Sequence, residues 1–236
     1  MILPLRDDQP SFSTPFITYF LIVLNVLVFL WELSVGMQSR GALNAFLIEF
    51  GVVPRHTLAV LTGQSYDSPA TVILPLFTSM FLHGSFFHVA GNMLMLWIFG
   101  DNVEDYLGHF RYLVFYLGTG VAAAAAQILA NMNSPLPVVG ASGAIAGVGG
   151  AYFILYPRAR VLTWVVIFVF RVPAWLMLGC WFLANFLIGT ATSITETAQT
   201  SGGGVAVWAH VGGFVAGVLM INLFSERPQR NRYGAW

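Results

Sequence analysis

Charged residues and cysteine are scarce in this chain. Only 8% of its 236 residues are Asp, Glu, Lys or Arg, against about 25% in a soluble globular domain, whereas 57% are hydrophobic. A single cysteine, Cys180, excludes an intrachain disulfide. The formal net charge is zero and no basic run occurs, so we expect no DNA or RNA partner. This composition indicates a membrane protein.

Apolar windows of about 20 residues, the length that crosses a bilayer core, predict six transmembrane helices. They cover about residues 15–36, 86–106, 110–130, 138–156, 173–188 and 205–224. Residues 37–84 form a long loop between helices 1 and 2, and its amphipathic pieces predict that it lies along the membrane interface. Residues 161–170 either extend the fifth helix or lie at the inner interface. The sequence therefore predicts an all-α polytopic membrane protein.

All ten basic residues are arginines, and their distribution predicts the sidedness. A cytoplasmic N-terminus leaves only Arg40 and Arg55 outside. The other eight are then inside: Arg6, Arg111, Arg158, Arg160, Arg171, Arg227, Arg230 and Arg232. We expect a short cytoplasmic segment at 1–13, a membrane domain at 14–225 and a short cytoplasmic tail at 226–236. The first residues lack the pattern of a removable signal peptide, so we expect the first helix to remain in the mature chain.

Four polar side chains share one predicted depth. With the N-terminus inside, helices 2, 4 and 6 all run inward from the outer face. His88 and Asn92 lie near the start of helix 2, Ser142 in the string GASGAIAG near the start of helix 4, and His210 in AHVGGFVAG near the start of helix 6. At 1.5 Å per residue, all should lie roughly 5 to 10 Å below the outer surface. Polar groups in a membrane usually face the bundle interior or a cavity.

This cluster predicts nucleophilic catalysis. A serine hydroxyl is a weak nucleophile until a base takes its proton, and His210 is the histidine best placed to do so for Ser142. The start of a helix can stabilise an oxyanion, and His88 and Asn92 can add donors. No acidic residue lies near the outer ends of helices 4 or 6. A serine-histidine dyad therefore fits better than a triad.

Each feature taken alone has a simpler explanation. A lone membrane serine commonly bonds its own backbone. The GxxxG spacing of Gly143 with Gly147, and of Gly213 with Gly217, more often indicates close helix packing than catalysis. Bulky residues on helix 5 are typical of packing or lipid contact, and they could also form a movable wall: Trp175, Trp181, Phe182 and Phe186.

Three strings together resemble the rhomboid intramembrane serine proteases: HGSFFHVAGN at 83–92, GASGAIAG around Ser142 and AHVGGFVAG around His210. The resemblance extends from about residue 51 through the last helix. It implies Ser142 as the nucleophile and His210 as the general base. It also implies an oxyanion site formed by the Ser142 backbone N–H with His88 and Asn92.

The resemblance further implies that His83 and much of the outer loop are structural, and that helix 5 helps to gate access from the lipid. The neighbouring glycines would support the site: Gly140, Gly143, Gly213 and Gly217. The implied enzyme uses no cofactor or metal. Its partners would be the bilayer and transmembrane protein substrates, cut near the outer face at small residues. The connecting segments read like those of bacterial members, which implies the bacterial inner (plasma) membrane.

Two features depart from the family pattern. A tryptophan-arginine pair of the outer loop is absent, and Leu74 and Pro75 stand at the corresponding place. Some members stack a tyrosine on the catalytic histidine, where this chain has Ala146. His210 must therefore be held by something else.

Other functions fit less well. The sequence contains no HExxH pair for zinc, and no aspartates within the helices that could form an aspartyl dyad. A catalytically inactive rhomboid-like protein that binds or escorts membrane clients is the main alternative, although both Ser142 and His210 are present. A transporter is a further alternative, but no inverted repeat or acidic residue at mid-depth supports it.

Overall fold

The structure, a computed structural model, describes residues 2–165, 167–194 and 206–224. The tail predicted at 226–236, with Arg227, Arg230 and Arg232, lies outside these residues. The elements in chain order are β1 (Ile2–Arg6), α1 (Phe16–Gln38), α2 (Arg40–Phe50), α3 (Pro54–Leu61), α4 (Ala70–Thr78), a 3-10 turn (Ser79–Phe81), α5 (Phe86–Leu107), α6 (His109–Ala130), α7 (Ser142–Leu155), β2 (Arg160–Val165), β3 (Phe168–Pro173), α8 (Ala174–Ile194) and α9 (Val207–Phe224). The mainly helical fold expected from the sequence is confirmed.

The helices α1, α5, α6, α7, α8 and α9 lie at the six predicted spans. In the described part of the chain, four of them (α1, α6, α8 and α9) are long and apolar enough to cross a membrane. Helix α5 passes the same test only together with the segment Ala70–Phe81, from which it is bent by 79°. Helix α7 has 14 residues, about 21 Å at 1.5 Å per residue. The structure supports a polytopic membrane protein, and six complete spans remain a prediction.

Helix α7 lies at the centre of the bundle. All of its residues from Gly143 to Tyr152 are buried, and it packs against α5, α6 and α9. Small residues let the backbones of membrane helices approach closely. A Cβ atom on Gly213 or Gly217 of α9 would overlap the backbone carbonyl of Gly143 or Gly147. The two GxxxG strings therefore form one close contact between α7 and α9.

The buried carboxylate of Glu104 connects the end of α5 with the starts of α1 and α6. Glu104, on α5, is fully buried. It accepts the backbone N–H groups of Ile17 and Thr18 at 2.9 and 2.8 Å and the Thr18 hydroxyl at 2.7 Å. His109 Nδ1, at the start of α6, lies 2.6 Å from the same carboxylate. The acid thus caps α1, because the first N–H groups of a helix have no acceptor within it.

The described residues of 161–170 do not extend the fifth helix, and their place at the inner interface remains a prediction. They make up most of a hairpin in which β2 pairs antiparallel with β3. Strand β1, within the segment 1–13, pairs antiparallel with the other side of β2. Val161 and Thr163 are buried while Trp164 is exposed, as the alternating faces of a strand require. This three-stranded sheet is a feature that the sequence analysis missed.

The contact between α7 and α9 predicts that Gly217→Ala destabilises the protein. The added methyl group must displace the Gly147 carbonyl, and overpacking of this kind costs about 1 to 3 kcal/mol. The measurement is the midpoint temperature of unfolding in detergent. Gly91→Ala is the matched control, because a Cβ there has no atom within 4 Å. Since alanine also favours the helix, the control should be neutral or slightly stabilised. Equal midpoints for the two variants would contradict the close contact.

Candidate active site

Ser142 is the first residue of α7, and the loop before it is held in place by the insertion between α1 and α5. Gly140 N–H donates to the Ser79 carbonyl at 2.9 Å, and Val138 exchanges backbone hydrogen bonds of 2.8 and 3.1 Å with Val52. Gly140 has φ +131°, which favours glycine. Ser142 lies at the positive end of the α7 dipole, beside N–H groups that have no acceptor within the helix. Negative charge that develops at Ser142 is therefore stabilised.

His210 lies in the first turn of α9, directly beside Ser142. Its Nε2 atom is 2.7 Å from Ser142 Oγ, and its side chain is buried. This distance is typical of a hydrogen bond between a hydroxyl and an imidazole nitrogen. The glycine contact described above holds α7 and α9 close enough for this bond to form. The two strings that the sequence singled out thus supply one hydroxyl and one base in direct contact.

The other ring nitrogen of His210 contacts a residue that the sequence analysis did not consider. His210 Nδ1 lies 2.8 Å from Oδ1 of Asn185, on α8. Trp181, also on α8, lies against the imidazole with ring centroids 5.4 Å apart and planes 34° apart. Asn185 is the one amide in the apolar stretch of α8. The predicted fifth span ends at residue 188, so residue 185 lies roughly 5 Å below the outer end. Asn185 therefore has a predicted depth similar to that of Ser142 and His210, which is the signal that the sequence offers for it.

His88 lies against Gly140, in the loop before Ser142. A Cβ atom on Gly140 would lie 2.9 Å from His88 Nε2 and 3.5 Å from Ser142 Oγ. The imidazole of His88 thus borders the same small space as the serine hydroxyl. Only a glycine at position 140 leaves room for it.

Asn92 contacts His83, and the ring of His83 in turn contacts His88. Its Nδ2–H donates to His83 Nε2 at 2.9 Å, and the rings of His83 and His88 meet edge to face with centroids 5.0 Å apart. An amide has two N–H groups, and His83 uses one of them. The backbone N–H of His83 donates to the buried carboxylate of Glu32 at 2.9 and 3.1 Å. His83 therefore contacts both Asn92 and His88, and Glu32 holds the backbone of His83 in place.

A small recess opens next to Ser142. Its walls include Ser79, Val139, Gly140, Ala206 and Ala209. Met80 also lines the recess, whose volume of about 20 Å³ is close to that of one water molecule. Across residues 2–165, 167–194 and 206–224, no group of three or more His, Cys, Asp or Glu side chains could hold a metal ion.

The family model described as "Rhomboid domain" matches residues 70–227, which is more than half of the chain. This chain belongs to the rhomboid family. Rhomboid proteins include intramembrane proteases that act on membrane proteins in the bilayer, so the family supports that activity in general.

Individual relatives agree with the family match. "Rhomboid protein 1, mitochondrial" of Saccharomyces cerevisiae is 33% identical over 65% of this chain and 42% of its own length. "Rhomboid protease GluP" of Bacillus subtilis is 34% identical over 62% of this chain and 25% of its own. "Presenilin-associated rhomboid-like protein, mitochondrial" of Bos taurus is 29% identical over 70% of this chain and 42% of its own. The chain spans less than half the length of these relatives.

The relatives come from mitochondria and from a bacterium. The comparison therefore supports an integral multi-pass membrane protein. It does not favour the bacterial inner membrane, which the sequence resemblance suggested.

The contact between Gly140 and His88 predicts that Gly140→Ala slows the reaction of Ser142 with a fluorophosphonate probe. The methyl group must displace either the His88 imidazole or the loop that carries Ser142. A misplacement of about 1 Å costs roughly 10- to 100-fold in rate. The measurement is the second-order rate constant of labelling in detergent.

Gly63→Ala is the matched control for this prediction. Gly63 also has a positive φ, +72°, but a Cβ there has nothing within 4 Å. The control therefore carries backbone strain without a clash and should label at the rate of the unmodified protein. A Gly140→Ala variant that labels equally fast would contradict the close packing of His88 on Gly140.

Proposed function

We propose that this protein is an intramembrane serine protease that hydrolyses peptide bonds in or next to transmembrane segments of membrane proteins. The proposal rests chiefly on the 2.7 Å contact between Ser142 Oγ and His210 Nε2. It also rests on membership of the rhomboid family, which supports intramembrane proteolysis in general.

In the proposed mechanism, Ser142 Oγ attacks the carbonyl carbon of the scissile bond while His210 Nε2 accepts its proton. His210 then donates this proton to the leaving amine nitrogen, the C–N bond breaks, and an acyl ester remains on Ser142. A water molecule attacks the ester with His210 again acting as the base. The carboxylate product leaves, and Ser142 regains its hydrogen. No cofactor or metal takes part in these steps.

The tetrahedral intermediate carries a negative oxygen that needs hydrogen-bond donors. We assign this role to the backbone N–H of Ser142, to His88 and to Asn92. The start of α7 supports the first donor, and the position of His88 across Gly140 supports the second. Asn92 has a second N–H beyond the one that it donates to His83. Hydrogen-bond donors stabilise the negative charge of the transition state more strongly in a site shielded from water than in solution.

The substrate would be a membrane protein with a small residue at the cleavage point. The small volume of the recess beside Ser142, about 20 Å³, supports this choice because a large side chain would not fit there. The arginine distribution supports a cytoplasmic N-terminus, which puts Ser142 near the outer face. Cleavage would therefore fall near the outer end of the substrate's transmembrane helix.

This proposal predicts that Ser142→Ala and His210→Ala abolish the cleavage of single-span substrates in proteoliposomes. His88→Ala and Asn92→Ala should each lose roughly 10- to 1,000-fold in kcat, because each removes one oxyanion donor. His56→Ala is the matched histidine control. Its side chain is exposed and lies 3.0 Å from Asp67 in the outer insertion, so cleavage should continue at the normal rate.

Two results would contradict the proposal. Cleavage that persists in Ser142→Ala would exclude Ser142 as the nucleophile. A protein that binds single-span substrates but leaves them intact, with or without Ser142, would instead favour the inactive, client-binding alternative.

A further inference from the structure

A directed series of hydrogen bonds connects α8 to the serine. Asn185 Nδ2–H donates to the Trp181 carbonyl at 2.8 Å. The other end of the same amide, Oδ1, lies 2.8 Å from His210 Nδ1. His210 Nε2 in turn lies 2.7 Å from Ser142 Oγ. The series runs through three helices, α8, α9 and α7.

The chemistry of the amide determines where each hydrogen lies. Because the Trp181 carbonyl only accepts, the NH2 group of Asn185 must face it and the oxygen must face His210. That oxygen also only accepts, so His210 Nδ1 must carry a hydrogen. In a neutral imidazole one nitrogen is then left as an acceptor, and it is Nε2. Asn185 thus selects the form of His210 that can take the proton of Ser142.

Trp181 contacts the face of the His210 imidazole, whereas Asn185 contacts the Nδ1 atom at its edge. Trp181 and Asn185 are four residues apart on α8, so they project from the same face of the helix. The indole lies against the imidazole at 5.4 Å. Position 146 of α7 is alanine, so α8 provides the contact to the ring that a tyrosine there would otherwise make.

We propose that Asn185 is the positioning residue of His210, so that Ser142, His210 and Asn185 act as one unit. This inference rests on the proposed function, because it assumes that His210 is the base. Asn185 does not touch the substrate; it acts by holding the His210 tautomer in which Nε2 is free to accept. Any displacement of α8 away from α9 breaks the contacts of both Asn185 and Trp181 with the ring.

The test compares three α8 variants in the full-length protein. Asn185→Leu keeps the side-chain size but removes the acceptor, so Nδ1–H would be buried without a partner and the other tautomer would be favoured. Asn185→Asp keeps an acceptor for Nδ1–H. Leu183→Ala is the matched control, because Leu183 lies on the same helix with its side chain exposed.

We expect Asn185→Leu to lower kcat and the fluorophosphonate labelling rate of Ser142 by roughly 10- to 100-fold, with KM unchanged. Asn185→Asp should recover most of both rates, and Leu183→Ala should match the unmodified protein. The midpoint of thermal unfolding is measured for each variant, because a change in orientation alone leaves it unchanged.

Three results would overturn the inference. The first is an Asn185→Leu variant that labels at the normal rate. The second is an equal loss in Asn185→Leu and Asn185→Asp together with a lower unfolding midpoint, which would give Asn185 a purely structural role. The third is an equal loss in Leu183→Ala. In each of these cases, Ser142→Ala and His210→Ala should still abolish activity if the proposed function is correct. Failure of the Asn185 inference can therefore be distinguished from failure of the proposed function.

Discussion

The close backbone contact between α7 and α9 is the constraint on which the rest of the site depends. A bond of 2.7 Å between side chains of two helices requires the helix axes to stay near each other. Gly213 and Gly217 allow this, because their missing Cβ atoms leave room for the carbonyls of Gly143 and Gly147. In a bilayer no hydrophobic effect presses the helices together, so tight packing of small residues must do so. The packing and catalytic explanations of these glycine strings are therefore complementary.

Two buried carboxylates in this apolar chain accept backbone N–H groups. Glu104 accepts N–H groups at the start of α1, and Glu32 accepts the N–H of His83. Neither acid takes part in the proposed reaction. Each holds a helix start or a loop in position, and the loop held by Glu32 carries His83 beneath Asn92. The side of the site that carries His88 and Asn92 thus depends on α1, which is far from Ser142 in the sequence.

Most helices could be predicted from the sequence, because an apolar segment in a membrane must pair its own backbone polar groups and a helix does so. The sheet could not, since 161–170 is equally apolar and its partner β1 comes from the other end of the chain. Ser142 and His210 could be paired because the arginine distribution predicts parallel helices that carry both residues at one depth. Asn185 was missed because the search for an orienting partner considered acidic residues, and its position depends on how α8 packs against α9.

A neutral amide suits the place beside His210 better than a carboxylate would. In a soluble triad, an aspartate orients the imidazole and stabilises the imidazolium that forms. Within an apolar helix a carboxylate would carry a large desolvation cost. Asn185 orients His210 with its oxygen while its own NH2 group is satisfied by the Trp181 carbonyl. In the proposed mechanism the amide therefore selects the tautomer without burying a charge.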